Sequence, residues 1–373
     1  MRKFSAGTYI RQNSYRAFIP NPINRRWTID DAELQRKLSR ADRYLGRLDA
    51  FSDLVDIDLY VRLHVRKEAT LSAKIEGTQT SVEEAVLDRK DVSAERRDDW
   101  DEVNNYVLAI NQAIAALKDL PFSSRLVRNT HATLMQGVRG QQKGPGEFRR
   151  SQNWIGGTSI SRATFVPPPP QEINHLMSDL EKLANDDNNP LPELLKIALI
   201  HYQFETIHPF QDGNGRLGRL LIPLYLIGNG IIRQPVLYLS AYLERNRQLY
   251  YDSLMDVRLH DDLLGWYHFF LDGVIETAGE GVETFKKVIQ LERSLPQRLT
   301  SLGRRRGTAE QLLRAMFGNP IMSVSDVKRV IELSDAPTYR LVSDLERLRI
   351  LEEFPTAGRG KSFVFREYMD LFT

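Results

Sequence analysis

The chain contains no cysteine, which excludes disulfides, thiolate metal sites and cysteine nucleophiles. That absence fits a reducing compartment, and a cytoplasmic location is the expectation. It also lacks any apolar run approaching the roughly 20 residues that span a bilayer, so no membrane partner is expected. Residues 1–10 carry two positive charges but no apolar stretch behind them, unlike a secretory leader. Charge of one sign is missing too. Fifty-one Lys and Arg against 49 Asp and Glu leave a formal net charge of +2, so composition gives no argument for nucleic acid or a membrane as the main partner. At 373 residues the chain is long for one domain and comfortable for two or three.

What is there is mostly helical periodicity. Over 28–51, Leu34, Leu38, Ala41, Leu45 and Leu48 recur every three or four residues, after a capping-box-like start of Thr28 followed by Asp31. Trp100, Val103, Val107, Ile110, Ile114 and Leu117 repeat the pattern over 98–118. A third helix is predicted from about Asp56 to Glu76, stopping at Gly77. The pattern breaks between about Arg139 and Pro170, where glycines and a run of four prolines mark a long irregular excursion with a short hairpin expected at 153–165. Long loops inside compact domains are usually functional or disordered. Helical periodicity resumes at 171–185 and 191–206. After Arg304-Arg305-Arg306-Gly307 comes a tail with predicted helices at 308–317, 324–333 and 337–349. A hairpin pairing 350–354 with 362–365 ends it, the order of a winged helix.

The densest chemistry lies in His208-Pro209-Phe210-Gln211-Asp212-Gly213-Asn214-Gly215-Arg216-Leu217-Gly218-Arg219. Histidine titrates near neutrality and suits proton abstraction from a hydroxyl. Asp212 is a hard oxygen ligand of the kind that holds Mg²⁺ together with substrate phosphates. Gly213 and Gly215 let the backbone approach an anion at the start of the next helix. Arg216 and Arg219, three apart, fall on neighbouring positions of its first turn and can fork onto phosphate oxygens. Alone, an Asp-Gly-Asn-Gly run is a surface turn. A transition-metal site of His201, His208 and Asp212 is disfavoured, because no second histidine follows at helical metal-site spacing. Base, metal ligand, anion nest and two arginines together are what phosphoryl or nucleotidyl transfer requires.

The whole segment resembles the Fic family signature, His-x-Phe-x-Asp/Glu-Gly-Asn-Gly-Arg-x-x-Arg, and matches every defined position. The resemblance, extending over about 100–290, implies a mainly α fold: a helical core with a β-hairpin flap. It implies transfer of AMP from Mg·ATP to a Ser, Thr or Tyr hydroxyl of a target protein. In this chain His208 would then be the base and Asp212 the Mg²⁺ ligand. The backbone of Gly213, Asn214 and Gly215 would bind anions, with Leu217 and Gly218 completing the ATP-binding turn. Arg216 and Arg219 would hold phosphates. The related Doc proteins phosphorylate and carry lysine where this chain has Gly215, which favours AMP transfer. Ile155, Gly156, Gly157 and Thr158 look like the family's flap, which aligns a target by strand addition. Tyr250 is the candidate for the adenine pocket, with Tyr242 and Tyr251 weaker ones.

Ser72-Ala73-Lys74-Ile75-Glu76-Gly77 resembles the family's inhibitory motif, Ser/Thr-x-x-x-Glu-Gly/Asn. That resemblance implies a brake in which Glu76 pairs with Arg219, with Ser72 on its fixed position. A homodimer rests on the resemblance only. The expected division is an N-terminal helical region over 1–98 with the inhibitory helix, a catalytic core over 99–298 and a small winged-helix domain over 299–373. Tyr339, Arg340, Arg347, Arg349, Arg359 and Lys361 are candidate phosphate contacts in that domain. Asp344, Glu346, Glu352 and Glu353 interleave with them, so protein docking is favoured there. A DNA-binding regulator whose Fic core senses a nucleotide is the alternative function.

Overall fold

A computed structural model describes residues 4–12, 14–53, 57–137, 140–358 and 360–373. Residues 1–3, Asp56, Arg139 and Arg359, which figure in the sequence reading, lie outside the described residues. In chain order the elements are β1 (Gly7–Arg11), β2 (Arg16–Pro20), α1 (Ala32–Asp49), α2 (Ile57–Ile75), α3 (Val82–Val86), α4 (Arg97–Ala116), α5 (Ser124–Leu134), α6 (Ile173–Ala184), α7 (Glu193–Ile207), α8 (Asn214–Gly228), α9 (Ser240–Arg245), α10 (Arg247–His260), α11 (Leu263–Arg298), α12 (Arg306–Gly318), β3 (Ile321–Ser323), α13 (Val324–Ile331), α14 (Asp335–Arg347), β4 (Glu352–Phe354), β5 (Ser362–Val364) and α15 (Arg366–Met369). The fold is mainly helical, as the periodicity required. One cap differs from the sequence reading. Asp31, not Thr28, caps α1, accepting the Leu34 N–H at 2.7 Å. A carboxylate there also opposes the positive end of the helix dipole.

The chain forms two compact units, residues 1–49 with 105–278 and residues 50–104 with 279–373. In the first, α7 is buried along its whole length from Leu194 to Ile207, as a helix apolar on all sides must be. It packs on α6 and α8, and the Trp266 indole N–H donates to its Ala198 carbonyl at 2.8 Å. The hairpin of β1 and β2, in register Gly7 to Pro20 and Arg11 to Arg16, has no counterpart in the sequence reading. β2 lies against α7, and Phe18 sends its N–H to the Val166 carbonyl at 3.0 Å. That bond ties the hairpin to the end of the irregular excursion.

In the second unit α2 packs on α12, and α12 on α13. Tyr60, Phe317 and Tyr368 form the aromatic centre, with the Tyr60–Phe317 and Phe317–Tyr368 rings 5.5 and 4.8 Å apart. A small antiparallel sheet runs in the order β3-β5-β4. The predicted terminal hairpin is its β4–β5 pair, with Glu352 opposite Val364 and Phe354 opposite Ser362. The short strand β3 on its other side was not foreseen.

Since α7 is buried along its length and leads into the turn at His208, truncating its middle should loosen the whole first unit. Leu199 is fully buried, so Leu199→Ala is expected to cost about 2–5 kcal/mol, read as a lowered urea midpoint in equilibrium unfolding.

Candidate active site

Helix α7 ends at His208, whose backbone adopts the left-handed conformation, φ 50° and ψ 60°, while its N–H still closes the helix on Phe204 at 2.9 Å. Non-glycine residues rarely sit there, histidine more readily than most. The turn is held from outside by Arg149. Its Nε donates to the His208 carbonyl at 2.9 Å, Nη2 to Pro168 at 2.5 Å and Ile207 at 3.4 Å, and Nη1 to Ser151 at 3.3 Å. Its own backbone N–H donates to Pro209 at 2.9 Å. The side chain is buried, and burial pushes its pKa down to about 10, leaving it charged at neutral pH. A buried cation spread over several carbonyl dipoles is satisfied without a carboxylate partner.

The rest of the turn is pinned in the same manner. Asn214 closes a small ring with Phe210, its Oδ1 accepting the Phe210 N–H at 2.9 Å and its Nδ2 donating to the Phe210 carbonyl at 2.8 Å. Asn153 donates to that carbonyl as well, at 2.9 Å. The His131 ring stacks on Phe210, centroids 3.7 Å apart. Because His131 Nδ1 accepts the Gly146 N–H at 2.8 Å, its Nε2 carries the proton given to the Asp212 carbonyl at 3.0 Å. Burial lowers the His131 pKa to about 4.

Gly213 then starts α8 with φ 75°, and a Cβ there would stand 2.6 Å from Met135 Sδ. Glycine is required on both counts. With glycine as N-cap there is no side chain to cap the helix, so the N–H groups of Asn214 and Gly215 have no intrahelical acceptor and are available to an anion. Asp212, just before this helix start, is partly exposed: Oδ1 accepts the Gly213 N–H at 2.7 Å, and Oδ2 faces Lys143 Nζ at 3.3 Å. Arg216 is buried, with Nη2 3.6 Å from Met135 Sδ and 3.9 Å from Asp212 Oδ1. Arg219 is buried one turn on and bears on His201, whose pKa is lowered to about 4 mainly by burial.

A single antiparallel bridge, Ile155 opposite Phe165, closes the expected flap. Ile155 N donates to Phe165 O at 2.8 Å and Phe165 N returns the bond at 3.1 Å. Between them Gly157 has φ 72°, and a Cβ would come within 2.3 Å of the Arg162 carbonyl. Gly156 and Thr158 lie in the same exposed loop. Phe165 is buried beneath the Arg258 guanidinium, 4.0 Å from its ring centre, and Arg258 Nε also donates to Thr206 on α7 at 3.1 Å. Arg258 thereby joins the base of this loop to the last turn before His208.

The structure brings His208, Asp212, Gly213, Asn214, Gly215, Arg216, Leu217, Gly218 and Arg219 onto one turn and helix start. Tyr250 is fully buried. Its hydroxyl is 2.9 Å from His201 Nε2, while His201 Nδ1 lies 3.0 Å from the Gly218 carbonyl. Tyr242 is buried and Tyr251 partly exposed beside Tyr250. In the second unit Ser72 is buried in the last turn of α2, and Glu76 is exposed one residue past its end. Sequence reasoning missed Arg149, Asn153, Lys143, Met135 and Arg258. Gly-Glu-Phe-Arg in the punctuated loop gave no sign that Arg149 is buried.

In a mainly helical protein, an uncapped glycine-led helix start thus follows directly on a fixed histidine and carboxylate. Residues 121–226 match the profile of the Fic/DOC family and residues 35–115 that of the Fic/DOC family N-terminal region. Over 284 residues the chain is 30% identical to a protein adenylyltransferase Fic of Aedes aegypti, covering 69% of this chain and 52% of that one. A protein adenylyltransferase Fic of Culex quinquefasciatus is 29% identical over 284 residues, with 69% and 51% covered. Among solved structures, a Fic family protein from Desulfovibrio desulfuricans G20 superposes with a TM-score of 0.57 at 21% identity, over 91% of this chain and 98% of that one. Fic-1 of C. elegans gives 0.53 at 19% identity, over 68% and 74%. The chain belongs to the Fic/DOC family. It spans about half the length of the curated relatives it matches.

The neutral histidines set an acid limit. His131 and His201 have folded pKa values lowered to about 4 from 6.5, so on acidification the unfolded chain takes up these protons first. Their contribution to stability is complete above about 6.5 and is lost as pH falls toward 4. His131→Gln is expected to flatten this fall, measured as thermal midpoint against pH between those limits.

Proposed function

We propose that this chain transfers AMP from Mg·ATP to a serine, threonine or tyrosine hydroxyl of a target protein, and to itself. The observation that carries the reading is the seating of His208 and Asp212 at the two ends of one clamped turn, directly before an uncapped helix start. Residues of this kind fit ATP and a magnesium ion. Asp212 offers a carboxylate that is partly exposed, a hard donor of the type that shares Mg²⁺ with phosphate oxygens. Magnesium held there would neutralise charge on the phosphates.

In this reading His208 takes the proton of the target hydroxyl. The oxygen bonds to the α-phosphorus as the bond to the bridging oxygen breaks, and pyrophosphate leaves. The N–H groups of Asn214 and Gly215, with Arg216 and Arg219, hold the phosphates. Gly215 leaves room where the phosphorylating relatives carry lysine. Backbone pairing along Ile155, Gly156, Gly157 and Thr158 aligns the target, and Tyr250 borders the adenine. The relatives' name, protein adenylyltransferase, supports the class of reaction. Glu76, with Ser72, restrains the activity in this proposal, on the pattern of the inhibitory motif.

The terminal helices and β3-β5-β4 sheet serve as a winged-helix docking module rather than a DNA reader. Basic side chains there are met by acids: Arg305 Nη1 lies 2.6 Å from Asp344, Arg347 pairs with the same carboxylate, and Lys361 is 2.6 Å from Glu353. A phosphate-reading face should be clearly basic.

Intact-mass spectrometry after incubation with Mg·ATP tests the proposal. Glu76→Gly is expected to gain one AMP per modified site, the unaltered chain little, and Glu76→Gly with His208→Ala none. An adduct that persists without His208 would remove it as the base. Equal adducts with and without Glu76 would remove the brake. If no sample gains mass while calorimetry shows ATP bound, self-modification is wrong.

A further inference from the structure

Beside residues 145–150 the first unit carries a concavity, none of whose lining residues belongs to 208–219 or 155–158. It consists of two adjoining cavities of about 430 and 480 Å³ that share Arg128, Glu147, Phe148 and Asn174 in their walls. Arg125 lines one and Arg150 the other. Both are exposed, and among the described residues neither makes an ion pair. Arg125 and Arg128 stand three apart on α5 and so share a face.

Arg128 is fixed before any ligand arrives. Its Nε donates to the Gly146 carbonyl at 2.7 Å, Nη2 to Glu147 at 2.5 Å, and its guanidinium lies 5.7 Å from the Phe148 ring centre. Glu147 is thus committed to one arginine, and the groove keeps a surplus of positive charge over a partly exposed aromatic ring. The space is large for a phosphate ion and right for several residues of peptide. The Asn174 side chain can pair with a peptide backbone, and the arginines can fork onto carboxylates. Phe148 also packs against Phe210, ring centres 5.2 Å apart. Its neighbour Arg149 clamps His208. An occupant therefore presses on the segment that holds the turn at His208.

We propose that this groove binds an acidic segment of the protein substrate, supplying target selectivity that backbone pairing at the flap loop cannot. Naming the occupant as part of the substrate rests on the AMP-transfer reading; the acidic-peptide site itself does not. The test is fluorescence anisotropy of the full chain with a fluorescein-labelled oligoglutamate peptide bearing a central phenylalanine. Binding is expected to weaken about tenfold or more in Arg125→Glu with Arg150→Glu. It should be kept in Arg125→Lys with Arg150→Lys and in His208→Ala, and it should fall with added salt.

Equal binding by the charge-reversed variant would overturn the proposal, as would no binding by the unaltered chain. So would displacement of the peptide by Mg·ATP, which would put it in the nucleotide site, or tighter binding of a single-stranded oligonucleotide to the same arginines. AMP transfer with no peptide binding would defeat the groove and leave the enzyme. Peptide binding with no AMP transfer would do the reverse.

Discussion

One buried guanidinium carries the site. Arg149 gathers the carbonyls of His208, Ile207, Pro168 and Ser151 around a single cation. Three chain segments would otherwise expose or waste those acceptors where α7 stops. Buried carbonyls must find donors, and the guanidinium's fan of N–H groups is the side chain that can serve several at once. Lysine would supply charge but not this planar fan. The left-handed backbone of His208 persists because the surroundings over-determine it.

From that clamp the remaining order follows. With His208 and Pro209 fixed, Phe210 is wedged between His131 and Phe148, and the Asn214 ring sets where α8 begins. Gly213 as N-cap leaves the helix start open, and the positive end of the dipole lies next to Asp212. The last turn of α7 is also joined through Thr206 and Arg258 to Phe165 at the base of the flap loop. His208, the start of α8 and the loop are thus carried on neighbouring parts of one frame, and in the proposed reaction such preorganisation is what would make their polar groups effective.

Much of this was legible in the residues. Residue type and spacing singled out the twelve-residue run from His208 to Arg219, which the structure gathers onto one turn and helix start, and helical periodicity located α1, α4, α6 and α7 within a few positions. Arg149 was not legible, because arginine is mostly exposed. Its burial depends on carbonyls arriving from about sixty residues downstream, which no local pattern records. The β1–β2 hairpin escaped for a similar reason: its strands are five residues each, and the sequence between them, residues 12–15, holds no glycine to signal a tight turn. Tyr250 was read from aromatic character alone. Its hydroxyl contact with His201, which itself reaches the Gly218 carbonyl, is a long-range pairing that spacing cannot show.

The most direct measurement is the rate of AMP incorporation at saturating Mg·ATP in Arg149→Lys, taken beside its ATP affinity. If the guanidinium seats His208, turnover falls by about 10²-fold while ATP binds as before. Unchanged turnover would contradict the central role of the clamp, and a loss confined to ATP affinity would show that Arg149 serves the nucleotide rather than the base.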